Sequence, residues 1–334
     1  MNRPVIIVHE NPEWIPPLAR ALDTVGLPFE EWLLTGGAFD PTATPPDAVY
    51  WSRLSASAHT RGHGTAKDHA RALLAWLEAH GRRVVNGSAA LELEVSKVRQ
   101  YVTLAAAGLR VPRTVAVVGT DDLVAQAARL PTPFVTKHNQ GGKGLGVRRF
   151  DDLADFAAVV ARGGLEPAVD GITLLQEYVS PAEPFITRLE FVGGRFHYAV
   201  RVDISAGSFE LCPAEACQVP AASDLVLAGS FPVSTVPVST VQLGVAAPVC
   251  DTGAADTFTL RPQITAEHPL VRQLEAYLAA QQVAIAGVEI IETPAGDLVV
   301  YDVNVNTNYH PGVEAEAPSA ALAVARYLAA LSTA

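Results

Sequence analysis

The chain has 334 residues, a formal net charge of −11, and a composition that is 49% hydrophobic and 18% charged. This length predicts two or three domains, and the hydrophobic share is enough for a large buried core. The sequence has no block of basic residues, which argues against a nucleic-acid surface. It also has no apolar run long enough for a membrane span or a secretory signal, so we expect a cytoplasmic protein.

The first 92 residues alternate short apolar runs with helical patterns. Strands are predicted at 5–9, 29–34, 48–51 and 83–86, and helices at 16–25 and 67–80. This alternation is typical of a parallel α/β domain, which we place at residues 1–92.

The next part, residues 93–175, is predicted to form a smaller lobe. Helices are expected at 96–107, at 121–129 and after the acidic pair Asp151-Asp152. Strands are expected at 115–118, 134–137 and 147–150, the last two forming a hairpin. Residues 174–179 are either a strand or a linker.

The hairpin carries the segment PFVTKHNQGGKGLGV at 133–147. A Walker A loop needs Ser or Thr after its Lys, whereas Gly144 follows Lys143. The dinucleotide fingerprint fails too, since Val147 replaces its third Gly. A mobile glycine hairpin that binds phosphate through backbone N–H groups remains, and the alternative is a flexible tip without a ligand.

Lysine is rare in this chain, and two of its lysines belong to the glycine segment. Of 24 basic residues, only Lys67, Lys97, Lys137 and Lys143 are lysines. Lysine is a compact point charge that a guanidinium cannot always replace. These lysines are therefore candidates for positions that arginine cannot fill, although four scattered lysines could also have no shared role.

The last part, residues 176–334, is predicted to form a C-terminal lobe. Strands are expected at 186–192 and 195–202 around Gly193-Gly194, and again at 286–292 and 298–305. Helices are expected at 268–282 and 318–331. The segment at about 205–261 is poor in helical pattern and reads as an insert of short strands or a long loop.

Polar residues interrupt the second of these hairpins, GVEIIETPAGDLVVYDVNVN. Asp302 and Asn304 are two apart on one predicted strand, so their side chains share a face that Asn306 continues. Glu289 lies on the partner strand. Oxygen ligands of this kind suit Mg²⁺, and the alternative is a solvent-facing polar side.

Taken in order, these features resemble the ATP-grasp superfamily, particularly RimK-like and glutathione-synthetase-like carboxylate–amine ligases. The resemblance covers about 85–334, and residues 5–86 resemble a pre-ATP-grasp lobe. It rests on Lys97 before Gly108 and Val111-Pro112, Lys137 before GGKGLGV, Gln176-Glu177-Tyr178-Val179, Gly287-Val288-Glu289 and Asp302-Val303-Asn304. It implies an α/β fold with α+β lobes.

The resemblance also implies a role for each matched residue. ATP phosphates would be bound by Lys97, Lys137 and the loop residues Gly141, Gly142, Lys143 and Gly144. Adenine would lie on the hinge Gln176, Glu177, Tyr178 and Val179, and Glu183 would hold the ribose. Arg188 and Arg201 would be catalytic, holding phosphate or the substrate carboxylate. Two Mg²⁺ ions, or Mn²⁺ instead, would be bound by Glu289, Asp302 and Asn304.

Three positions depart from the pattern of this family. Glu289 and Asp302 stand where the family usually has Asp and Glu, respectively. Both exchanges keep the oxygen chemistry and shift its reach by one methylene. Ile186 stands where an acidic residue usually precedes the arginine at 188, which weakens the expected ribose contact.

The implied activity is ATP-dependent amide formation between a small carboxylate and a small amine, through an acyl phosphate. A small-molecule kinase and a non-catalytic ATP-binding protein of the same fold are the alternatives. The sequence does not identify the two substrates, and it leaves a homo-oligomer open.

Three smaller features have no settled interpretation. The loop 53–63 offers Arg and His side chains to a substrate anion or to solvent. Cys212, Cys217 and Cys250 fit free buried thiols better than a zinc site, because no fourth ligand is evident. His310 could contact substrate or cap a turn.

Overall fold

The computed structural model describes residues 3–142, 144, 146–205 and 257–333. The first sheet is parallel and has the strand order β2-β1-β3-β4. Its strands are β1 (Val5–His9), β2 (Phe29–Leu33), β3 (Val49–Arg53) and β4 (Arg83–Val85). Every residue of β1 and β3 is buried, as expected for parallel strands with both faces covered.

Helices cover the two faces of this sheet. They are α1 (Pro16–Thr24) and α2 (Ala66–Ala79) from the same part of the chain, and α9 (Ala320–Thr333) from its far end. Val324 and Leu328 of α9 pack in one buried cluster with Ile7 and Trp51. The last described helix is therefore part of the first core.

The second sheet is antiparallel and has the order β5-β8-β6-β7. Its strands are β5 (Thr114–Val118), β6 (Phe134–His138), β7 (Arg148–Phe150) and β8 (Ile172–Glu177). Helices α5 (Leu123–Ala127) and α6 (Leu153–Ala161) close a core in which Phe134, Phe150 and Phe156 stack. The glycine loop joins β6 to β7, as predicted.

The third sheet is antiparallel, with the order β11-β10-β9-β12-β13. Its strands are β9 (Phe185–Val192), β10 (Arg195–Asp203), β11 (Phe258–Leu260), β12 (Ile285–Glu292) and β13 (Leu298–Asn304). Helices α4 (Lys97–Ala106) and α7 (Pro269–Ala280) pack on it through one large apolar cluster.

The structure differs from the sequence prediction at several elements. Of the segment 174–179, residues 174–177 are the end of strand β8 and residues 178–179 follow it, and the helix predicted at 121–129 is only the five residues of α5. Helices α3 (Ser88–Glu94) and α8 (Pro311–Glu316) were not predicted. Seven and six residues are too few for a helical period to emerge from the sequence.

Most of the predicted insert at about 205–261, with all three cysteines, lies outside the described residues, as does Lys143. Within the described residues, no helix combines the length and apolarity that crossing a membrane requires.

Candidate active site

One cleft lies where the three sheets meet, and it collects most of the predicted site residues. Its lining includes residues from the first lobe, the second sheet and the third sheet. The predicted residues on its walls are Lys97, Lys137, Gly141, Gly142, Gly144, Gln176, Glu177, Tyr178, Val179, Arg188, Glu289, Asp302 and Asn304. Residues more than 200 positions apart in sequence, such as Lys97 and Asp302, are thus neighbours in the fold.

The two described lysines of the cleft have different partners. Lys97 is the first residue of α4, behind the N-cap Ser96, and its Nζ donates to Asp302 Oδ1 at 2.5 Å. Burial disfavours its charged form, but Asp302 outweighs burial and raises the pKa of Lys97 above its usual range. Lys137, on β6, donates to the Tyr101 hydroxyl at 2.7 Å. Both lysine side chains line the cleft.

The described part of the glycine loop needs glycine at specific positions. Gly144 and Gly146 have φ of +73° and +69°, a region that side chains rarely adopt. A Cβ on Gly146 would also lie 2.5 Å from the His138 ring. On the other side, Gly142 approaches Ser57 of the first lobe, to which a Cβ would come within 3.6 Å. The loop is therefore packed between its own base and the first lobe.

The predicted adenine hinge follows directly from the end of β8. Tyr178 N–H donates to Pro133 O at 3.2 Å, and the Glu177 carboxylate accepts from Arg113 N–H at 2.9 Å. These contacts fix the hinge backbone. Val179 lines the cleft, and its N–H has no hydrogen-bond partner among the described residues. A backbone donor without a protein partner in a cleft is expected to bond a ligand or water.

The predicted metal ligands converge from two neighbouring strands. Glu289 on β12 lies directly opposite Asp302 on β13, and Asn304 Nδ2 is 3.5 Å from Glu289 Oε1. Burial raises the pKa of Glu289. Burial would also raise that of Asp302, but the charges of Lys97 and Lys137 lower it. Asp302 is thus held ionised beside its lysines.

The oxygen ligands offered by Glu289, Asp302 and Asn304 suit Mg²⁺ better than a metal ion whose ligands must all come from the protein. Among the described residues, no group of three or more His, Cys, Asp or Glu side chains could hold an ion. Two carboxylates and one amide oxygen leave coordination positions for water and phosphate, which Mg²⁺ favours. The next residue on this face, Asn306, buries both polar side-chain atoms without a protein partner.

Arg188 is held in a buried network beneath the metal face. Its guanidinium bonds Glu190 Oε1 at 2.6 Å, Glu289 Oε1 at 3.0 Å and Thr307 Oγ1 at 2.5 Å. Tyr301 donates to the other Glu289 oxygen at 2.7 Å. Arg188 therefore orients a candidate metal ligand.

Two predicted site residues lie outside the cleft lining. Arg201 is on β10 with its guanidinium 4.3 Å from the centre of the Phe185 ring. Glu183 is exposed in the loop before β9. The roles assigned to both residues remain predictions, and the structure does not bring either to the other site residues.

The first-lobe loop 53–63 contributes to the cleft, but not through its histidines. Ser55 and Ser57 line the cleft together with Trp14. Arg61 and His63 instead pair with the fully buried Glu10, at 2.6 and 3.0 Å. These two side chains are therefore engaged by a carboxylate of their own lobe.

Arg53 is buried and braces the loop after β13. It donates to Thr307 O and to Asn308 Oδ1, both at 2.9 Å. Burial lowers its pKa to about 10, so it remains charged at neutral pH. Arg53 already bonds the Asn308 oxygen. Asn308 also lines the cleft, so its amide nitrogen is the group that remains to contact a ligand there.

The sequence did not identify Glu94 as a site residue, and it left the role of His310 undecided. Glu94, three residues before Lys97, lines the cleft and accepts from Ala56 N at 3.1 Å and Val305 N at 2.8 Å. Its position beside a predicted phosphate lysine was the available signal. His310 stacks on Phe258 at 4.6 Å and makes no side-chain cap to α8.

Comparison with known proteins agrees with this architecture. No family model matches the chain. A probable alpha-L-glutamate ligase of Xanthomonas euvesicatoria pv. vesicatoria (strain 85-10) is 32% identical over 145 residues, which are 42% of this chain and 47% of that protein. The match thus spans about half the length of this curated relative.

Two solved structures match almost the whole chain. A RimK-domain ATP-grasp protein from Sphaerobacter thermophilus DSM 20745 has a TM-score of 0.62 at 18% identity, covering 97% of this chain and 98% of its own. The ATP-grasp ligase PsnB, in complex with a minimal precursor, Mg and ADP, has a TM-score of 0.61 at 14% identity, covering 98% and 97%.

The chain therefore has the ATP-grasp fold. The α/β architecture and the resemblance to this superfamily, both predicted from the ordered motifs, are confirmed at the level of the fold.

Proposed function

We propose that this protein is an ATP-dependent carboxylate–amine ligase. One observation carries the proposal. Lys97 and Lys137 line a single cleft together with Glu289, Asp302 and Asn304, and Gly141, Gly142 and Gly144 of the glycine loop line it as well. Cations and a carboxylate face of this kind match the needs of phosphoryl transfer, in which charge on phosphate oxygens must be neutralised.

ATP would lie along the cleft from the hinge to the metal face. The free N–H of Val179 would bind adenine, and the two lysines would bind the phosphates. Mg²⁺ would be held by Glu289, Asp302 and Asn304, where it would neutralise phosphate charge. The PsnB structure, solved with Mg and ADP, supports this cofactor pair, and two ions is our proposal for their number.

The reaction would proceed in two steps. A carboxylate oxygen of the first substrate attacks the γ-phosphorus of ATP, and an acyl phosphate and ADP result. An amine then attacks the acyl carbon, loses a proton and expels phosphate. Lys97 and Lys137 stabilise charge in the first step, and the packed glycine loop excludes water that would hydrolyse the acyl phosphate.

The substrates would enter at the first-lobe end of the cleft. This end is lined by Trp14, Ser55, Ser57, Asn306 and Asn308, with neither Lys nor an unpaired carboxylate among them. Hydroxyl and amide groups suit a small amino acid or a peptide. The curated relative is named a glutamate ligase, and PsnB was solved with a peptide precursor, which supports the same substrate class.

A hydroxylamine trap tests the proposal. The protein is incubated with Mg-ATP, pooled amino and carboxylic acids and hydroxylamine, and hydroxamate is measured alongside ADP. Hydroxamate with ADP would establish an acyl phosphate, and subdividing the pool would identify the acid. A phosphorylated acid or alcohol without hydroxamate would indicate a kinase, and failure to bind ATP would refute the assignment of the cleft.

Matched variants connect this result to the cleft. Lys137→Met keeps the length of the side chain and removes its charge, so turnover should fall by about 100-fold or more. Arg129→Met removes an exposed charge that bonds only Gln126 and should leave turnover unchanged. Equal activity of the two variants would contradict the proposed role of Lys137.

A further inference from the structure

The strand that carries Asp302 and Asn304 lies at the edge of the third sheet. Strand β13 is the last in the order β11-β10-β9-β12-β13, so among the described strands only β12 pairs with it. The other side of an edge strand presents unpaired N–H and C=O groups. On β13 these groups are instead bonded by side chains from the segment before and within α4.

Gln100 makes the most complete of these contacts. Its Nε2 donates to Val303 O at 2.8 Å, and its Oε1 accepts from Val303 N–H at 3.1 Å. Both backbone groups of one residue are thus paired, as a neighbouring strand would pair them. The second Nε2 hydrogen goes to Leu93 O at 2.9 Å, and Gln100 is only 1% exposed.

The residues two positions away on the strand are held in the same manner. The Tyr101 hydroxyl donates to Tyr301 O at 2.9 Å. Glu94 Oε2 accepts from Val305 N–H at 2.8 Å. Residues 301, 303 and 305 therefore bond outward along the edge, and the side chains between them belong to the cleft face.

The hydrogen bonds that hold Val303 at the edge of the sheet affect the position of the candidate metal ligands beside it. Val303 stands between Asp302 and Asn304, and both of those side chains line the cleft. Side chains alternate along a strand, so a shift of one residue at this point would send both to the other face. Pairing with β12 keeps residues 302–304 in register up to Glu289, where a bulge between Glu289 and Ile290 interrupts the ladder, so the bonds from Gln100 support the strand next to that interruption.

We propose that Gln100 is a positioning residue for the metal-binding face: by pairing both backbone groups of Val303 it sets the placement of Asp302 and Asn304. The inference rests on the proposed function, because it presupposes that these side chains hold Mg²⁺. Gln100 also lines the cleft, but both polar atoms of its side chain are bonded to Leu93 O and to the backbone of Val303, so we assign its effect to the backbone of β13.

The test separates metal binding from nucleotide binding. Mn²⁺ binding in the presence of AMP-PNP is measured by electron paramagnetic resonance, and binding of a fluorescent ADP analogue is measured without divalent ions. Gln100→Met, of similar size, should weaken Mn²⁺ binding by about 10- to 100-fold, the usual effect of losing an outer partner of a metal ligand. Metal-free nucleotide affinity should stay within about twofold of wild type.

Thr103→Val is the matched control. Thr103 is on the same helix, and its hydroxyl bonds Tyr277 of α7 and the backbone oxygens of Arg99 and Gln100, but no group of β13. This variant should leave both affinities unchanged. Wild-type Mn²⁺ affinity in Gln100→Met would overturn the inference while leaving the proposed function intact, whereas a wild-type protein that binds no Mn²⁺ would refute both.

A measurement on the unaltered protein decides the point if Gln100→Met does not fold. Amide hydrogen exchange at Val303 should be as slow as at Val288, a fully buried residue of the interior strand β12. Exchange at Val303 as fast as at an open strand edge would show that Gln100 does not hold it, and would overturn the inference.

Discussion

Gly287 and Arg188, on the adjacent strands β12 and β9, fit together because Gly287 has no side chain. A Cβ at Gly287 would lie 2.7 Å from a guanidinium nitrogen of Arg188. The guanidinium cannot withdraw freely, since Glu190, Glu289 and Thr307 all bond it. The orientation of Glu289, a candidate metal ligand two residues along β12 from Gly287, therefore depends on the space that this glycine leaves for Arg188.

The first prediction follows from this fit. Gly287→Ala should displace Arg188, lower the free energy of unfolding by about 1–3 kcal/mol and reduce turnover more than the lost stability explains. Chemical denaturation and the hydroxamate assay would measure the two effects. Gly36→Ala is the control, because no atom lies within 4 Å of its Cβ and its φ is not positive. Full turnover in Gly287→Ala would contradict the role of Arg188.

The second prediction concerns the glycine loop. Gly146→Ala would place a Cβ 2.5 Å from the His138 ring at a φ of +69°. Gly163→Ala has nearly the same φ, +66°, but nothing within 4 Å. Gly163→Ala therefore introduces the backbone strain, about 1 kcal/mol, without the clash with His138. We expect Gly146→Ala alone to weaken ATP binding, by about 10-fold or more, as measured by calorimetry. Equal ATP affinity in the two variants would contradict the packing of this loop.

The third prediction concerns the pH dependence of stability. Burial raises the pKa of Glu190 above its ordinary 4.5, although Arg188 and Thr307 favour the charged form. The folded state then binds more protons than the unfolded state, so this group loses stabilising effect as pH rises above 4.5. The stability advantage of wild type over Glu190→Gln should therefore shrink on going from pH 4 to 7, by at most about 1.4 kcal/mol per pH unit.

Glu92 provides a control of opposite sign. Its hydrogen bond from Arg71 lowers its pKa, so its contribution grows as pH rises through the ordinary carboxylate range. Between pH 4 and 7, the stability advantage of wild type over Glu92→Gln should therefore increase, whereas its advantage over Glu190→Gln should decrease. Denaturation curves at several pH values measure both differences in stability. If the two differences changed in the same direction with pH, the assigned directions of the pKa shifts would be refuted.

The fourth prediction concerns the junction between the first lobe and the third sheet. Asn86, 2% exposed at a φ of +53°, donates to Ile285 O and Val305 O and accepts from Ala284 N and Ile285 N. Asn86→Gly keeps this backbone conformation accessible and removes the side chain. It should lower the free energy of unfolding by about 2–4 kcal/mol, because buried backbone groups lose their partners.

Gln282 is the matched position for this test. It has a φ of +57° and is exposed. Gln282→Gly should therefore be neutral or slightly stabilising in the same denaturation experiment. A similar loss in both variants would mean that chain flexibility, and not the hydrogen bonds of Asn86, determines the result.

Much of the fold followed from sequence because its signals are local. The alternating apolar runs of the first lobe and the paired strands around Gly193-Gly194 and 294–297 needed only short windows of sequence. Helices α3 and α8 were missed because they are short. The end of β8 was left as a strand or linker, since its pairing with β5 and β6 is not local.

The candidate site was only partly accessible from sequence for the same reason. Glu289, Asp302 and Asn304 could be grouped, since two strands of one hairpin carry them. The pairing of Lys97 with Asp302 spans 205 residues, and no pattern in either segment encodes it. Nor does sequence distinguish Arg188, engaged beneath the metal face, from Arg201, which stacks on Phe185. Both are arginines on consecutive predicted strands.

The last prediction uses the unpaired amide of Asn306. Both polar atoms of this side chain are buried without a protein partner, and the residue lines the cleft beside Asn304. An unsatisfied buried polar group costs about 1–3 kcal/mol, which an apolar replacement removes. Asn306→Leu should therefore raise the midpoint of thermal unfolding of the free protein. Because the amide would pair with substrate or phosphate, the same change should lower turnover in the hydroxamate assay by about 10-fold or more.

Asn308→Leu should behave differently, and the contrast decides the interpretation. The Asn308 oxygen accepts from Arg53, so its loss would leave a buried guanidinium with one partner fewer and lower the unfolding midpoint. A gain in stability with a loss of turnover, in Asn306→Leu alone, is the signature of a polar group kept for a ligand. If Asn306→Leu instead loses stability and keeps its turnover, the amide has a structural partner and the ligand lies elsewhere in the cleft.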